Sequence, residues 1–352
     1  MLEEPFDVLF VTALGIEARA ISEHLRGTSQ RQVGEGIQVD VGTLPDGNGG
    51  GLAAVAEVGR GNVAASITTT RIMESVPVST VIVVGVAGGI KDVEIGDVVA
   101  SSKVYWIEGG KDGKEFASRP DFAPVDESLV QCARSVARSG DWRERANAPG
   151  AGQRLGGGSS VGLIEPVAVS EKVISSSDSH MAQVIQERFS DAVAVEMEGM
   201  GVMRSVSEQS GARGIVIRGI SDLLDSKSQA EERGSQAVAA TNAAGFAVEV
   251  AVRAVGEAAN QRPGLSRSEM RKLWELLSEL YPKGPTERHV WDRAGGDIAA
   301  LSLKSSGATA WWEALRTLRR GGGGATISLS KLLSTVREDW PNNDELPKFQ
   351  KG

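Results

Sequence analysis

A layered α/β domain followed by a small all-helical module is the architecture this sequence predicts. Up to about residue 255, short β-branched runs alternate with helix-patterned stretches, and those runs are continuously rather than alternately apolar over most of their length. A continuously apolar strand belongs to a sheet covered on both faces. A third observation divides the chain. Residues 262–352 carry 15 Lys+Arg against 11 Asp+Glu, whereas the 261 residues before them carry 23 against 35, so a net of −12 gives way to a net of +4. Trp274, Trp291, Trp311, Trp312 and Trp340 all lie in the shorter part. Two cores packed in different styles are expected: a first domain over 1–258, a linker over 259–266 and a helical domain over 267–347.

In order, FDVLFVTAL reads as a strand because of its β-branched and aromatic content, and IEARAISEHL as the helix after it. GLAAVAEV and NVAASITTTRIMESV repeat that pairing. TVIVVGVAGG and GDVVASSKVYW are two further strands, and SLVQCARSVARS has helical spacing. AVAVEM with EGMGVMRSVSEQS, then GIVIRGISD with QAVAATNAAGFAVEVAVRAV, complete the series. Between about 107 and 160 the pattern thins into Gly- and Pro-containing stretches that predict long loops around one helix.

Composition removes several classes of function. The longest near-apolar run noted, VSTVIVVGVAGGI, is too short for a bilayer, and the acidic start MLEEPFDVLF has no basic leader, so neither export nor a membrane span is expected. With Cys132 as the single cysteine, an intrachain disulfide or thiolate cluster is impossible, which suits a reducing cytoplasm. His24, His180 and His289 have no partners at metal or triad spacing and are expected to be surface or packing residues; no metal is expected. The acidic balance of the first part opposes nucleic acid as a ligand.

EVGRGNVAAS supplies Gly59-x-Gly61-x-x-Ala64 between a strand and a helix, as a dinucleotide fold would. That fold also needs a ribose-binding acid at the end of the next strand, and here the strand ends in Val and Gly, so no nicotinamide or flavin cofactor is expected. A tight turn, or a loop beside a bound small molecule, remain as readings. Gly85, Ala87 and Gly88 in VGVAGGI let a flat ligand approach backbone. Acidic residues recur at strand ends: Glu17, the pair Glu196 and Glu198 around Met197, and Asp222. Strand alternation would turn Glu196 and Glu198 to one face. Such ends line the crevice where α/β sheets bind ligands. Each acid alone is also explained by capping or a turn, and their convergence is the informative signal.

VTALGIEARAI, VGVAGGI with IGDVV, AVEMEGMGV and IRGISD stand in an order and at a spacing that resembles the nucleoside phosphorylase and nucleosidase superfamily, most of all its methylthioadenosine/S-adenosylhomocysteine nucleosidase branch. The resemblance covers about 1–255 and implies a central mixed sheet and hydrolysis of the N-ribosidic bond of a purine, with adenine as the expected base. That chemistry builds positive charge on the sugar and negative charge on the departing base, as in glycoside cleavage. By the resemblance, Asp222 delivers a proton to purine N7, which burial favours, and Glu17 holds and activates water. Glu198, with Glu196 and the backbone at Met197, grips the ribose hydroxyls. Ser221 and Arg218 orient Asp222, while Val173 and Ile174 lie along the base beside Val86, Ala87 and Gly88. Related phosphorylases carry an arginine and a serine for phosphate; the matching Val83 and Val86 bind no anion, so water is the expected nucleophile. A phosphorylase and a catalytically silent nucleoside sensor are the alternatives. Arg60, Lys111, Lys114 and Arg119 are candidates to surround a charged 5′ group. A homodimer or larger assembly is expected from the same resemblance.

In the tail, Leu273, Leu276, Leu277 and Leu280 sit at helical spacing, as do Leu332, Leu333 and Val336. ERHVWDRAGGDIAAL, AWWEAL, RRGGGG and LLSTVREDWPNNDEL resemble the type 1 effector-associated domain, a death-like helical adaptor of bacterial conflict systems. This implies docking onto a protein partner that carries a like module, with acidic REDWPNNDE and basic RTLRR as complementary faces. Trp311 and Trp312 are expected in the core.

Overall fold

A computed structural model describes residues 5–45, 51–111, 113, 116–145, 152–209, 211–224, 234–260, 265, 267–301, 303, 306–319 and 322–349. The chain divides into two units, one spanning Phe6–Val255 and the other containing Gly256–Gly352. Residues 261–264 and 266 of the expected linker lie outside the described residues.

The first unit opens with β1 (Phe6–Thr12), α1 (Gly15–Ser22) and the hairpin β2 (Arg26–Val33) and β3 (Ile37–Thr43). β4 (Leu52–Glu57) and α2 (Asn62–Ser75) lead to β5 (Val78–Gly89) and β6 (Val98–Trp106). Next come the short β7 (Gly110–Lys111), β8 (Ala117–Ser118) and β9 (Asp121–Ala123), then α3 (Glu127–Ser139) and α4 (Trp142–Arg145). β10 (Gly162–Val169), α5 (His180–Arg188), β11 (Ala194–Glu196), α6 (Gly199–Glu208), β12 (Arg213–Leu223) and, as far as Val255, α7 (Ser235–Asn260) complete it.

The strands run β2-β3-β4-β1-β5-β12-β6-β10-β11, with β9 added to β6, in a sheet that mixes parallel and antiparallel pairs. β11 also pairs antiparallel with β5 through Ala194↔Gly89 and Val195↔Gly88, so β5-β12-β6-β10-β11 closes into a ring. Two apolar layers flank the sheet. One contains Phe10, Ile82 and Ile217 with Trp142, Phe246 and Ala247; the other packs Leu9, Val81 and Val83 against Ile72 of α2 and Met203 of α6. This is the two-sided burial that the unbroken apolar runs imply.

Several elements depart from the sequence reading. The hairpin β2–β3 carries no apolar signature on β2, which is a solvent-facing outer strand. β10 contains Pro166, and a register shift between Glu165 and Val167 accommodates it. Residues 107–160 include three short strands as well as α3, which Asp126 caps by accepting from Leu129 N at 3.2 Å. Within α7, Ser235–Gly256 is long and apolar enough to cross a membrane, with a mean hydropathy of 1.3. Its Ala243, Phe246, Ala247 and Val250 are core residues, so its apolarity serves the interior.

The second unit comprises α8 (Arg267–Leu280), α9 (Val290–Arg293), α10 (Gly307–Arg319) and α11 (Leu329–Asp339) with three short 3₁₀ turns among the described residues. Leu273, Leu277, Leu332, Leu333 and Val336 share one core with the fully buried Trp291 and Trp311, whereas Trp312 is half-buried against Trp274. The buried indoles find acceptors, Trp291 Nε1 on Gly323 O at 2.8 Å and Trp311 Nε1 on Tyr281 O at 3.1 Å.

Phe246 is fully buried and meets the Trp142 ring edge-on at 5.4 Å between centroids. Phe246→Ala is expected to lower the unfolding free energy by about 3–5 kcal/mol, measured by urea denaturation.

Candidate functional site

Glu17 enters the site from the first turn of α1. Its Oε2 accepts from Ala13 N and Leu14 N, both at 2.9 Å, which caps the helix; its Oε1 accepts from Val86 N on β5 at 2.9 Å. Capping and site formation are therefore one arrangement. Burial pushes the Glu17 carboxyl up, against the pull of the Arg218 charge and the three backbone N–H groups.

Arg218 lies on β12, level with Gly85 of β5. It is 1% exposed and donates to Glu196 Oε2 and, at 3.2 Å, to Glu198 Oε2. Burial favours the neutral guanidine, but Glu196, Glu198 and Glu17 overcome it and raise the group further. Gly85 must be a glycine, since a Cβ there would overlap Arg218 Nη1 and Glu17 Oε1.

The strand holding the glutamate pair stops at Glu196. Glu198 (φ −126°, ψ −26°) precedes α6, so the two carboxylates do not share a strand face and instead converge on Arg218. Glu196 is saturated: it accepts from Glu198 N at 3.0 Å and from Gly199 N at 2.8 Å in addition to Arg218. Glu198 Oε1 accepts from Gly61 N at 3.0 Å, and Gly61 at φ 90° belongs to the glycine loop before α2. That loop thus holds a carboxylate. Burial raises the Glu198 carboxyl, with Arg218 opposing and the Glu196 charge adding to the rise.

Ser221 falls at a register shift between Ile220 and Asp222, which breaks strand alternation and lets both Ser221 and Asp222 line one cavity. Ser221 Oγ donates to Asp222 Oδ2 at 2.7 Å, and Asp222 is 6% exposed. The cavity, of about 390 Å³, brings Glu17, Glu196, Met197, Glu198, Ser221 and Asp222 together with Val86, Ala87, Gly88, Val173, Ile174 and Arg60. Arg218 is not in the lining and engages Glu196 and Glu198, so of the two groups expected to orient Asp222 it is Ser221 that bonds it. Lys111 and Arg119 are exposed and do not line it; Lys114 lies outside the described residues. Val83 is a core residue.

Sequence reasoning missed Ala13, Leu14, Lys172, Val195 and Gln236 in the lining. It also missed Asn62, whose Oδ1 accepts from Gly201 N at 2.8 Å and whose Nδ2 donates to Glu171 Oε1 at 3.0 Å. An asparagine directly after Gly-x-Gly was the available signal for that residue. Among the described residues, no group of three His, Cys, Asp or Glu side chains is placed to hold a metal.

Glu196 and Glu198 pair with the buried guanidinium, the Glu17 charge acts on it as well, and Glu17, Glu196, Glu198 and Asp222 all line the cavity. Such a field favours a ligand that gains positive charge. Because Glu17 is raised above its ordinary value of 4.5, the folded state holds more protons than the unfolded chain just above that pH, and stability falls as pH rises through the window. Glu17→Gln is expected to flatten this fall, read as melting temperature against pH. Gly85→Ala is expected to cost about 1–3 kcal/mol by overpacking, read by denaturant titration.

Residues 7–252 match the model of the phosphorylase superfamily, and residues 263–352 match effector-associated domain 1. The ATP nucleosidase Cap17 of Escherichia coli (strain KTE188) is 29% identical over 238 residues, covering 62% of this chain and 46% of that protein; the chain spans about half the length of this relative. A 5′-methylthioadenosine/S-adenosylhomocysteine nucleosidase of Chromohalobacter salexigens is 28% identical over 264 residues, 71% of this chain and 98% of that protein. The crystal structure of a Neisseria meningitidis 5′-methylthioadenosine/S-adenosylhomocysteine nucleosidase in complex with methylthio-immucillin-A overlays with a TM-score of 0.56 at 20% identity, covering 70% of this chain and 98% of that one, a likeness of fold. With the family model spanning most of its length, the chain belongs to the phosphorylase superfamily.

Proposed function

We propose that the first unit is a purine nucleosidase that hydrolyses the N-ribosidic bond of an adenine nucleoside or nucleotide. The observation that carries this reading is the convergence of Glu17, Glu198 and Asp222 on one cavity with a surplus of buried carboxylate. As the bond breaks, the sugar gains positive charge and the carboxylates stabilise it. Glu198, fixed by Gly61 N and Arg218, accepts from the ribose hydroxyls, and Met197 packs against the sugar. Glu196, saturated by its own partners, orients this turn and Arg218.

Asp222, held by Ser221, protonates the leaving base, and Glu17 takes a proton from the attacking water as a base poised upward by burial. Val86, Ala87, Gly88, Val173 and Ile174 form the wall for the flat base. Water is favoured over phosphate because Arg218 is already engaged by two carboxylates and Val83 is buried in the core. Arg60 lines the cavity, as does Lys172, whose ammonium is paired with Glu108, and the Arg60 charge suits an anionic 5′ substituent, so a 5′-phosphorylated adenosine is the preferred substrate class. The name of the Escherichia coli relative, an ATP nucleosidase, agrees with that choice.

The second unit acts as a death-like adaptor that recruits the nucleosidase to a partner bearing a similar module, within a bacterial antiphage system. Its match to effector-associated domain 1 supports this. The nucleosidase works in the cytoplasm, as a homodimer or larger assembly, with the domain division at 259–266.

The test is incubation of the full chain with adenosine, methylthioadenosine and adenosine 5′-phosphates, with and without phosphate, reading free adenine by chromatography. Phosphate-independent release is expected, fastest with a 5′-phosphate. Asp222→Asn should reduce it by about 10²–10⁴-fold while adenine still binds. Phosphate-dependent release would make the protein a phosphorylase, and binding without release from any substrate would make it a sensor.

A further inference from the structure

One carboxylate outside the cavity lining holds three consecutive residues, the last of which, Lys172, lines the cavity. Glu108 lies two residues beyond the end of β6. Its Oε1 accepts from Ser170 Oγ and Glu171 N, both at 2.7 Å, and its Oε2 accepts from Lys172 Nζ at 3.0 Å. The next two residues are Val173 and Ile174, which with Lys172 line the cavity.

The same segment is anchored on its other side. Ser170 N donates to Glu196 O at 3.0 Å, and Glu171 Oε1 accepts from Asn62 Nδ2 at 3.0 Å. Asn62 is 7% exposed and also receives Gly201 N, so the segment is tied to the starts of both α2 and α6. Such bracing answers a need. Val173 is 57% exposed, and an apolar residue that is mostly exposed is not placed by packing, so its backbone must be fixed by its neighbours.

We propose that Glu108 is a positioning residue of this cavity, holding Ser170–Lys172 so that Val173 and Ile174 face the ligand's base and Lys172 stays at the cavity. The proposal rests on the reading of the cavity as a purine-binding, riboside-cleaving site. Glu108 acts through the segment and touches no substrate. Partial burial works against its charge, but the bonds from Ser170, Lys172 and Glu171 hold its carboxyl below the usual range, so the tether persists at neutral pH.

The full chain provides the test, with adenine affinity by isothermal titration, steady-state base release, and deuterium uptake across residues 169–176. Glu108→Ala should raise the adenine Kd and the substrate KM about tenfold while kcat stays within about threefold, because a ground-state contact surface is lost. Uptake in the segment should rise with it. Glu108→Gln keeps a carbonyl acceptor for Ser170 Oγ and Glu171 N, and should return both constants to within about threefold of wild type.

Wild-type adenine affinity in Glu108→Ala, equal impairment of both variants, or a fall in kcat alone would overturn the proposal. Should Glu108→Ala unfold early on melting, Ser170→Ala carries the same question: a rise of about threefold in adenine Kd supports the tether, and no rise overturns it. If wild type binds adenine but releases none from any riboside, the hydrolase reading fails while the affinities still decide the role of Glu108. If wild type binds no adenine, both fall.

Discussion

A guanidinium sealed inside a protein sets the terms for everything around Arg218. The idealised desolvation cost of such a charge is of order 20 kcal/mol, and carboxylates in contact are what make the position tenable. Glu196 supplies the closest contact and Glu198 the second. Their geometry passes outward into the backbone: Gly85 stays bare to leave room, Glu196 receives the amides that open α6, and Glu198 receives Gly61 from the loop before α2. Four segments remote in sequence are thereby fixed by one cation. Glu196 and Glu198, which face the cavity, are placed there by the same solution that buries Arg218.

The arrangement also explains why an acid-rich cavity is stable. Glu17 is accommodated by three backbone amides and the nearby Arg218 charge, and Asp222 by the Ser221 hydroxyl. Each carboxylate has donors of its own rather than relying on a ligand to arrive. Met197, between the two glutamates, contributes apolar lining. Rigid polar support beneath an apolar rim gives a flat heterocycle room to bind and leaves the carboxylates oriented beforehand.

Much of this was legible from residue order. The strands β1, β4 and β5 announce themselves through nearly continuous apolar runs, because both faces of the sheet are covered, and β6, β11 and β12 through β-branched stretches interrupted at Lys103, Glu196 and Arg218. The acids at their ends were visible as exceptions to apolar context. Less visible was anything that depends on pairing across space. β2 is polar along almost its whole length, since one flank faces solvent, and β10 hides behind Pro166. That Glu196 and Glu198 part company at a strand end is a matter of backbone dihedrals, which alternation rules do not reach. Glu108 and Lys172 look like ordinary surface charges in sequence, and only their meeting gives them meaning.

The narrow closure of the ring has a bearing on how such proteins vary. β11 meets β5 through just Ala194↔Gly89 and Val195↔Gly88, and Glu196 follows at once. Side chains alternate with a period of two, so sliding this short seam by a single place would exchange a glutamate for a valine beside the buried arginine. Insertions or deletions between α5 and β11 would therefore strike the charge balance of the interior before they altered the outline of the molecule. The seam thus ties register to interior charge within one peptide unit, while the polar hairpin at the opposite border of the sheet has its outer strand in solvent.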